Sequence, residues 1–141
     1  MESNTNNGDF PILRQRLNKE SDIVARVGFV NKAGQPIPVP TTDWALTFYT
    51  DERHRVECSH NNAVLSRCNV KDGILTCLLP AGSFSCGTLY LKKCISVYDE
   101  RFPDGKKDDV SVVSTDYEIA DPQDTTGELV VAFSITCKHI S

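Results

Sequence analysis

Residues 87–119 alternate between apolar and polar side chains on both sides of a compact acidic turn at 102–105. Side chains point to opposite faces along a strand, so this period of two predicts a pair of long strands. Pro103 fixes φ and Gly105 permits positive φ, which suits a change of direction between them. The first strand sorts into an apolar row, Leu89, Leu91, Ile95 and Val97, and an opposite row, Tyr90, Lys92 and Ser96.

The same period of two continues over most of the chain from Ser21 onward. The segment 44–50 is the clearest example, with Trp44, Leu46 and Phe48 on one face. The prolines at 36, 38 and 40 predict an extended edge or crossover instead of a central strand. About eight strands with turns every eight to twelve residues predict an all-β fold, an antiparallel β-sandwich of Ig-like or jelly-roll-like type.

The first twenty residues differ from the rest. Residues 1–9 are rich in asparagine, and residues 10–17 (FPILRQRL) form an apolar and basic segment. We expect residues 1–20 to be an extended, flexible N-terminal arm, with a brief helix or docking onto a neighbouring subunit as alternatives. A length of 141 residues indicates a single domain, which we predict to span residues 21–141.

Charge and hydropathy exclude several partners. A net charge of −4 argues against nucleic acid, because phosphate binding depends on a basic surface. No apolar run approaches the ~20 residues that span a bilayer, so we expect no membrane partner. The N-terminus lacks the basic and apolar regions of a signal peptide. We therefore expect synthesis in a reducing cytoplasm.

The six cysteines fall at 58, 68, 77, 86, 94 and 137, without any Cys-x-x-Cys pair. This spacing disfavours zinc-ribbon and thioredoxin-like sites. Without a secretory signal, we expect small buried thiols in strand positions. If Asp72 and Gly73 form a type I′ turn, Cys68 and Cys77 lie directly opposite each other. That pair could oxidise outside the cell, although thiols are expected.

No constellation predicts an enzyme or a cofactor. His54, Cys58 and His60 share a strand face, but positions 54 and 58 lie about 13 Å apart, too far to ligate one metal. The loop 99–109 carries five carboxylates, yet it lacks the EF-hand pattern and its basic residues balance much of the charge. No serine stands in a nucleophile elbow. We predict a protein without catalytic residues, metal or cofactor.

Four segments in order resemble a known module. They are the strand at 44–50, the turn at 69–74, the Gly87-x-Leu89 start of a strand, and the turn at 102–105 before a Val- and Thr-rich strand. Over residues 21–119 this series resembles a β-sandwich module of virion proteins from Bacteroidales tailed phages, including crAss-like phages. Such modules occur in auxiliary capsid proteins and at the bases of head or tail fibres. The six cysteines and the arm depart from that pattern.

The resemblance implies a non-enzymatic virion structural protein, an auxiliary capsid (decoration) or head-fibre anchoring component located in the virion. It would bind copies of itself and a major capsid or fibre protein, and no small-molecule substrate. A glycan- or protein-binding adhesion module, using exposed tyrosines and the loop 99–109, is the alternative; a small β-sandwich enzyme or metal protein is third. The candidate partner contacts are Phe10, Ile12, Leu13, Leu17, Tyr98, Phe102 and Asp104.

Overall fold

The computed structural model describes residues 15–31, 33–121 and 128–134, the last segment mainly through its backbone. Three of the candidate contacts, Phe10, Ile12 and Leu13, lie outside these residues. None of the described residues forms a helix, so no helix long and apolar enough to cross a membrane is found among them.

The described residues form two packed β-sheets. Sheet A has six strands, in the spatial order β1 (Gln15–Asn18), β10 (Lys106–Ala120), β9 (Gly87–Tyr98), β4 (Trp44–Asp51), β5 (His54–Asn61) and β6 (Val64–Ser66). Sheet B has the order β11 (Glu128–Ser134), β2 (Ile23–Val30), β8 (Ile74–Leu79) and β7 (Cys68–Lys71), with β3 (Pro36–Ile37) also paired to β2. The predicted all-β sandwich is confirmed. Its Ig-like or jelly-roll-like type stays a prediction.

Two strand pairs are parallel, which differs from the predicted purely antiparallel arrangement. β1 runs parallel to β10, and β11 runs parallel to β2. In both cases the chain passes from one sheet to the other. β1 of sheet A is followed by β2 of sheet B, and β10 of sheet A is followed by β11 of sheet B. Such crossings free a strand from the hairpin geometry that makes sequence neighbours antiparallel.

The core lies between the inner faces of the two sheets. β4 alternates buried and partly buried residues, and Leu46 and Phe48 are fully buried. Trp44 of sheet A meets Phe29 of sheet B with ring centroids 6.3 Å apart, and its indole N–H donates to the carbonyl of Pro40 at 3.0 Å. The predicted apolar rows therefore mark the buried faces, since apolar area removed from water is the main favourable term in folding.

The turn between β7 and β8 has the predicted geometry. Asp72 and Gly73 both have positive φ, 53° and 78°, as a type I′ turn requires. The register places Cys68 opposite Cys77 and Lys71 opposite Ile74. The predicted placement of Cys68 directly opposite Cys77 is confirmed.

The long hairpin of β9 and β10 is also confirmed, and it contains an irregularity that the sequence did not reveal. The register shifts between Ser114 and Glu118. There Asp116 has a φ of 65°, and the buried hydroxyl of Thr115 donates to the carbonyl of Leu89 at 2.8 Å. Extra residues in one strand bend it and increase its twist.

Part of the predicted arm belongs to sheet A. Residues 15–18 form β1, and Leu17 is fully buried beside its register partner Ile119. Arg16 Nε lies 3.1 Å from Glu118 Oε1 in the same strand pair. The sequence pattern missed this strand because only Leu17 of its four residues points inward.

Candidate interaction surface

The described candidate contacts divide between one end of sheet A and the core. Tyr98 ends β9, and Phe102 and Asp104 lie in the loop that follows; Tyr98 is 56% exposed and Phe102 42%. These three are exposed and close in the chain, as a contact surface requires. Leu17 is different, because its buried side chain packs in the core and is not available to a partner.

Short-range bonds hold the loop between β9 and β10. The N–H of Phe102 donates to the carbonyl of Asp99 at 3.1 Å, and the N–H of Gly105 donates to the carbonyl of Phe102 at 2.9 Å. Arg101 binds both carboxylate oxygens of Asp99, at 2.9 and 2.6 Å. These bonds from the Arg101 side chain, followed by its backbone N–H, hold the pKa of Asp99 below its usual range. The Asp99 carboxylate is thus engaged within the loop.

Among the described residues, β10 has an open edge over much of its length. One side of the strand pairs with β9, whereas on the other side β1 reaches only from Tyr117 to Ala120. Among the described residues no strand pairs with that side of 106–116. Three valines of this segment are well exposed: Val110 at 51%, Val112 at 52% and Val113 at 40%.

The alternating hydrogen-bond pattern between β9 and β10 identifies the backbone groups that face this edge. The N–H of Asp99 donates to the carbonyl of Gly105 at 2.9 Å, so these two residues form a hydrogen-bonded pair. Such pairs alternate with non-hydrogen-bonded pairs along an antiparallel ladder. The register is unbroken from Lys106 to Ser114. Val110 and Val112 therefore direct their N–H and C=O groups away from β9 and toward the open edge.

The outer face of sheet A carries a pair of stacked tyrosines. The rings of Tyr49 and Tyr90 have centroids 5.6 Å apart, and Tyr90 is 37% exposed. Both tyrosines are therefore partly exposed on this face. Farther along the same face, the small side chains of Ala45, Ser59 and Cys94 line a shallow depression of about 210 Å³.

The two histidines near Cys58 are engaged separately. His54 Nδ1 lies 2.8 Å from Asp51 Oδ1, and His60 stacks on Trp44 with its Nδ1 2.9 Å from the carbonyl of Thr42. Over residues 15–31, 33–121 and 128–134, no group of three His, Cys, Asp or Glu side chains is placed to hold a metal.

Lys93 is a buried residue that the sequence patterns did not single out. Lys93 is 9% exposed, and it occupies the inward row of β9 opposite Leu46. Burial lowers its pKa, while the nearby Asp109 carboxylate acts in the opposite direction. Its odd number places it in the row of Leu91 and Ile95, so strand parity could have identified it.

Comparison with known protein families, curated proteins and solved structures finds no match to this chain.

Proposed function

We propose that the protein is a non-enzymatic virion structural protein, an auxiliary capsid or head-fibre anchoring component, that assembles by strand pairing at the open edge of β10. The resemblance of residues 21–119 to phage virion modules supports the virion assignment. The observation that carries the assembly mode is the exposed edge at 106–116.

An open edge offers a row of backbone donors and acceptors to another strand. Charged residues protect its beginning, where Lys106, Lys107, Asp108 and Asp109 follow one another. No such protection covers 110–114, a segment of valines and serines without proline. An added strand would pair with this segment and cover its exposed valines.

The occupant that we propose is the N-terminal segment of a neighbouring copy. Fourteen residues precede β1 in the sequence, and extended they could span up to about 50 Å. Residues 10–13 of this segment are apolar and Arg14 follows them, whereas Asp108, Asp109 and Asp116 lie along the edge. Within one copy, the ion pair between Arg16 and Glu118 holds β1 on β10 beside the end of this edge. Weak contacts of this kind become firm attachment when symmetric copies repeat them.

Val112→Pro tests the edge directly. Proline removes the N–H that faces the open side and leaves the hydrogen bonds to β9 in place. Val112→Ala is the matched control, because it loses the same apolar side chain and keeps the N–H. We expect both variants to fold by circular dichroism, and only Val112→Pro to lose oligomerisation in light scattering and incorporation into virions. Equal assembly of the two variants would overturn strand pairing at this edge.

Removal of residues 1–14 tests the occupant. This truncation keeps β1, so the folded domain should persist while assembly is lost. Mixed samples of two differently tagged copies, each with one engineered cysteine at 12 or 112, should cross-link between copies. No cross-link between the two copies, together with a cross-link inside a single copy that carries both cysteines, would show that the segment closes its own edge and would refute its role in assembly.

The stacked tyrosines favour an adhesion module as the second candidate. Aromatic rings exposed on a sheet can bind a sugar or a protein partner. Binding in a glycan array that Tyr90→Ala weakens would support this function, and an array without hits would exclude glycan binding.

A further inference from the structure

Three thiols meet where the chain crosses from sheet A to sheet B. Cys58 lies on β5, Cys68 on β7 and Cys77 on β8. All three are free thiols; Cys58 and Cys77 are fully buried, and Cys68 is partly exposed. Cys68 Sγ donates to the carbonyl of Ser66 at 3.2 Å, and Cys58 Sγ to the carbonyl of Arg67 at 3.6 Å. The cluster therefore has a single partly accessible member.

The turn sets the geometry of one pair in this cluster. In a two-residue hairpin the residues that flank the turn, here Lys71 and Ile74, form a hydrogen-bonded pair. Pairs alternate from there, so Cys68 and Cys77 occupy a non-hydrogen-bonded position. Cα atoms at such positions are about 4.5 Å apart, within the range of about 4.4–6.8 Å that disulfides span.

We propose that Cys68 and Cys77 are a modification site that forms a cross-strand disulfide by exchange with small disulfides of the glutathione class. The thiolate of Cys68 attacks one sulfur of the small disulfide, forms a mixed disulfide and releases one small thiol. Cys77 then attacks the Cys68 sulfur, and the second small thiol leaves with the proton of Cys77. The two protein thiols are oxidised, and the small disulfide is reduced to two thiols.

The surroundings assign the order of the two steps. Cys68 reacts first because solvent reaches it. Cys77 is fully buried, and its hydrogen bond with Cys58, followed by burial, raises its pKa. Burial also raises the pKa of Cys68, so access to solvent sets the order, and the fully buried Cys77 attacks second.

The bond would join β7 to β8 at the free side of sheet B. β7 is the outermost strand there and pairs only with β8 among the described residues. Opening of this edge strand would then require both strands to leave together. Such a bond forms when the protein leaves a reducing compartment.

The test exposes the folded full-length protein to increasing ratios of oxidised to reduced glutathione. Free thiols are then alkylated under denaturing conditions, and peptides are mapped by mass spectrometry. We expect a Cys68–Cys77 linkage in the intact protein and in Cys58→Ala, and none in Cys77→Ser. Cys68→Ser should also lack the linkage. Because this variant leaves the buried Cys58 and Cys77 unchanged, it controls for misfolding caused by a core substitution. Cys94→Ser should retain it.

Three results would overturn the proposal. The first is a Cys58–Cys77 linkage in place of the proposed pair. The second is a glutathione adduct on Cys68 that never resolves. The third is full alkylation of Cys68 and Cys77 at every ratio. With the bond formed, we also expect the denaturant midpoint of unfolding to rise, and a reductant should reverse that rise.

Discussion

Leu17→Ala is the sharpest test of the fold, because it asks whether β1 belongs to the folded domain. Leu17 is fully buried between the sheets and lies beside Ile119. Replacing a buried leucine by alanine removes its transfer free energy and leaves a cavity, with a usual cost of about 2–5 kcal/mol. We expect the free energy of unfolding to fall by about 3 kcal/mol, a large part of the roughly 5–15 kcal/mol of a typical domain.

Urea unfolding measures this change. Trp44 is 3% exposed, and it is the single tryptophan, so its fluorescence should report unfolding of the core. With a slope of about 1–3 kcal/mol per molar urea, the midpoint should fall by about 1–3 M. An unchanged slope would show that the denatured state is comparable in both proteins.

Leu78→Ala is the matched control, since Leu78 is 50% exposed on the outer face of β8. It should cost about 1 kcal/mol or less. A Leu17→Ala midpoint equal to that of Leu78→Ala would refute the inclusion of β1 in the core. Truncation gives a second check: removal of residues 1–14 should preserve the unfolding midpoint, whereas removal of 1–20 should lower it strongly.

Acid stability and turn geometry give two further predictions. Hydrogen bonds from Ser85, then His54, then the N–H of Arg53 hold the pKa of Asp51 below its usual value. The stability that they contribute is complete above about pH 4 and is lost as the pH falls further, so Asp51→Asn should flatten acid unfolding curves; an unchanged curve would contradict this. Gly73→Ala places a Cβ at a φ of 78° and should cost about 1 kcal/mol in urea unfolding, unlike Asp72→Asn. Equal stability of the two variants would refute that reasoning.

Local patterns predicted the parts of this protein that depend on neighbours in sequence. The alternation at 44–50 identified Leu46 and Phe48 as core residues, because strand geometry alone sends alternate side chains to opposite faces. Asp72 and Gly73 predicted a two-residue turn, and that turn places Cys68 opposite Cys77 in the hairpin. The exposure of Tyr98 and Phe102 followed from the polar loop, which Tyr98 precedes and which contains Phe102.

The tertiary structure decided what depends on distant parts of the chain. Leu17 became core because residues 117–120, far away in sequence, offer β1 a strand to pair with. Among the described residues, β10 has an open edge because β1 begins opposite Tyr117 and pairs only with the last part of β10. The sequence alone determined which faces are apolar and where the chain turns, since both depend on local sterics. Strand order, the two parallel pairs and the free edge depend on which segments meet, and only packing between the sheets decides that.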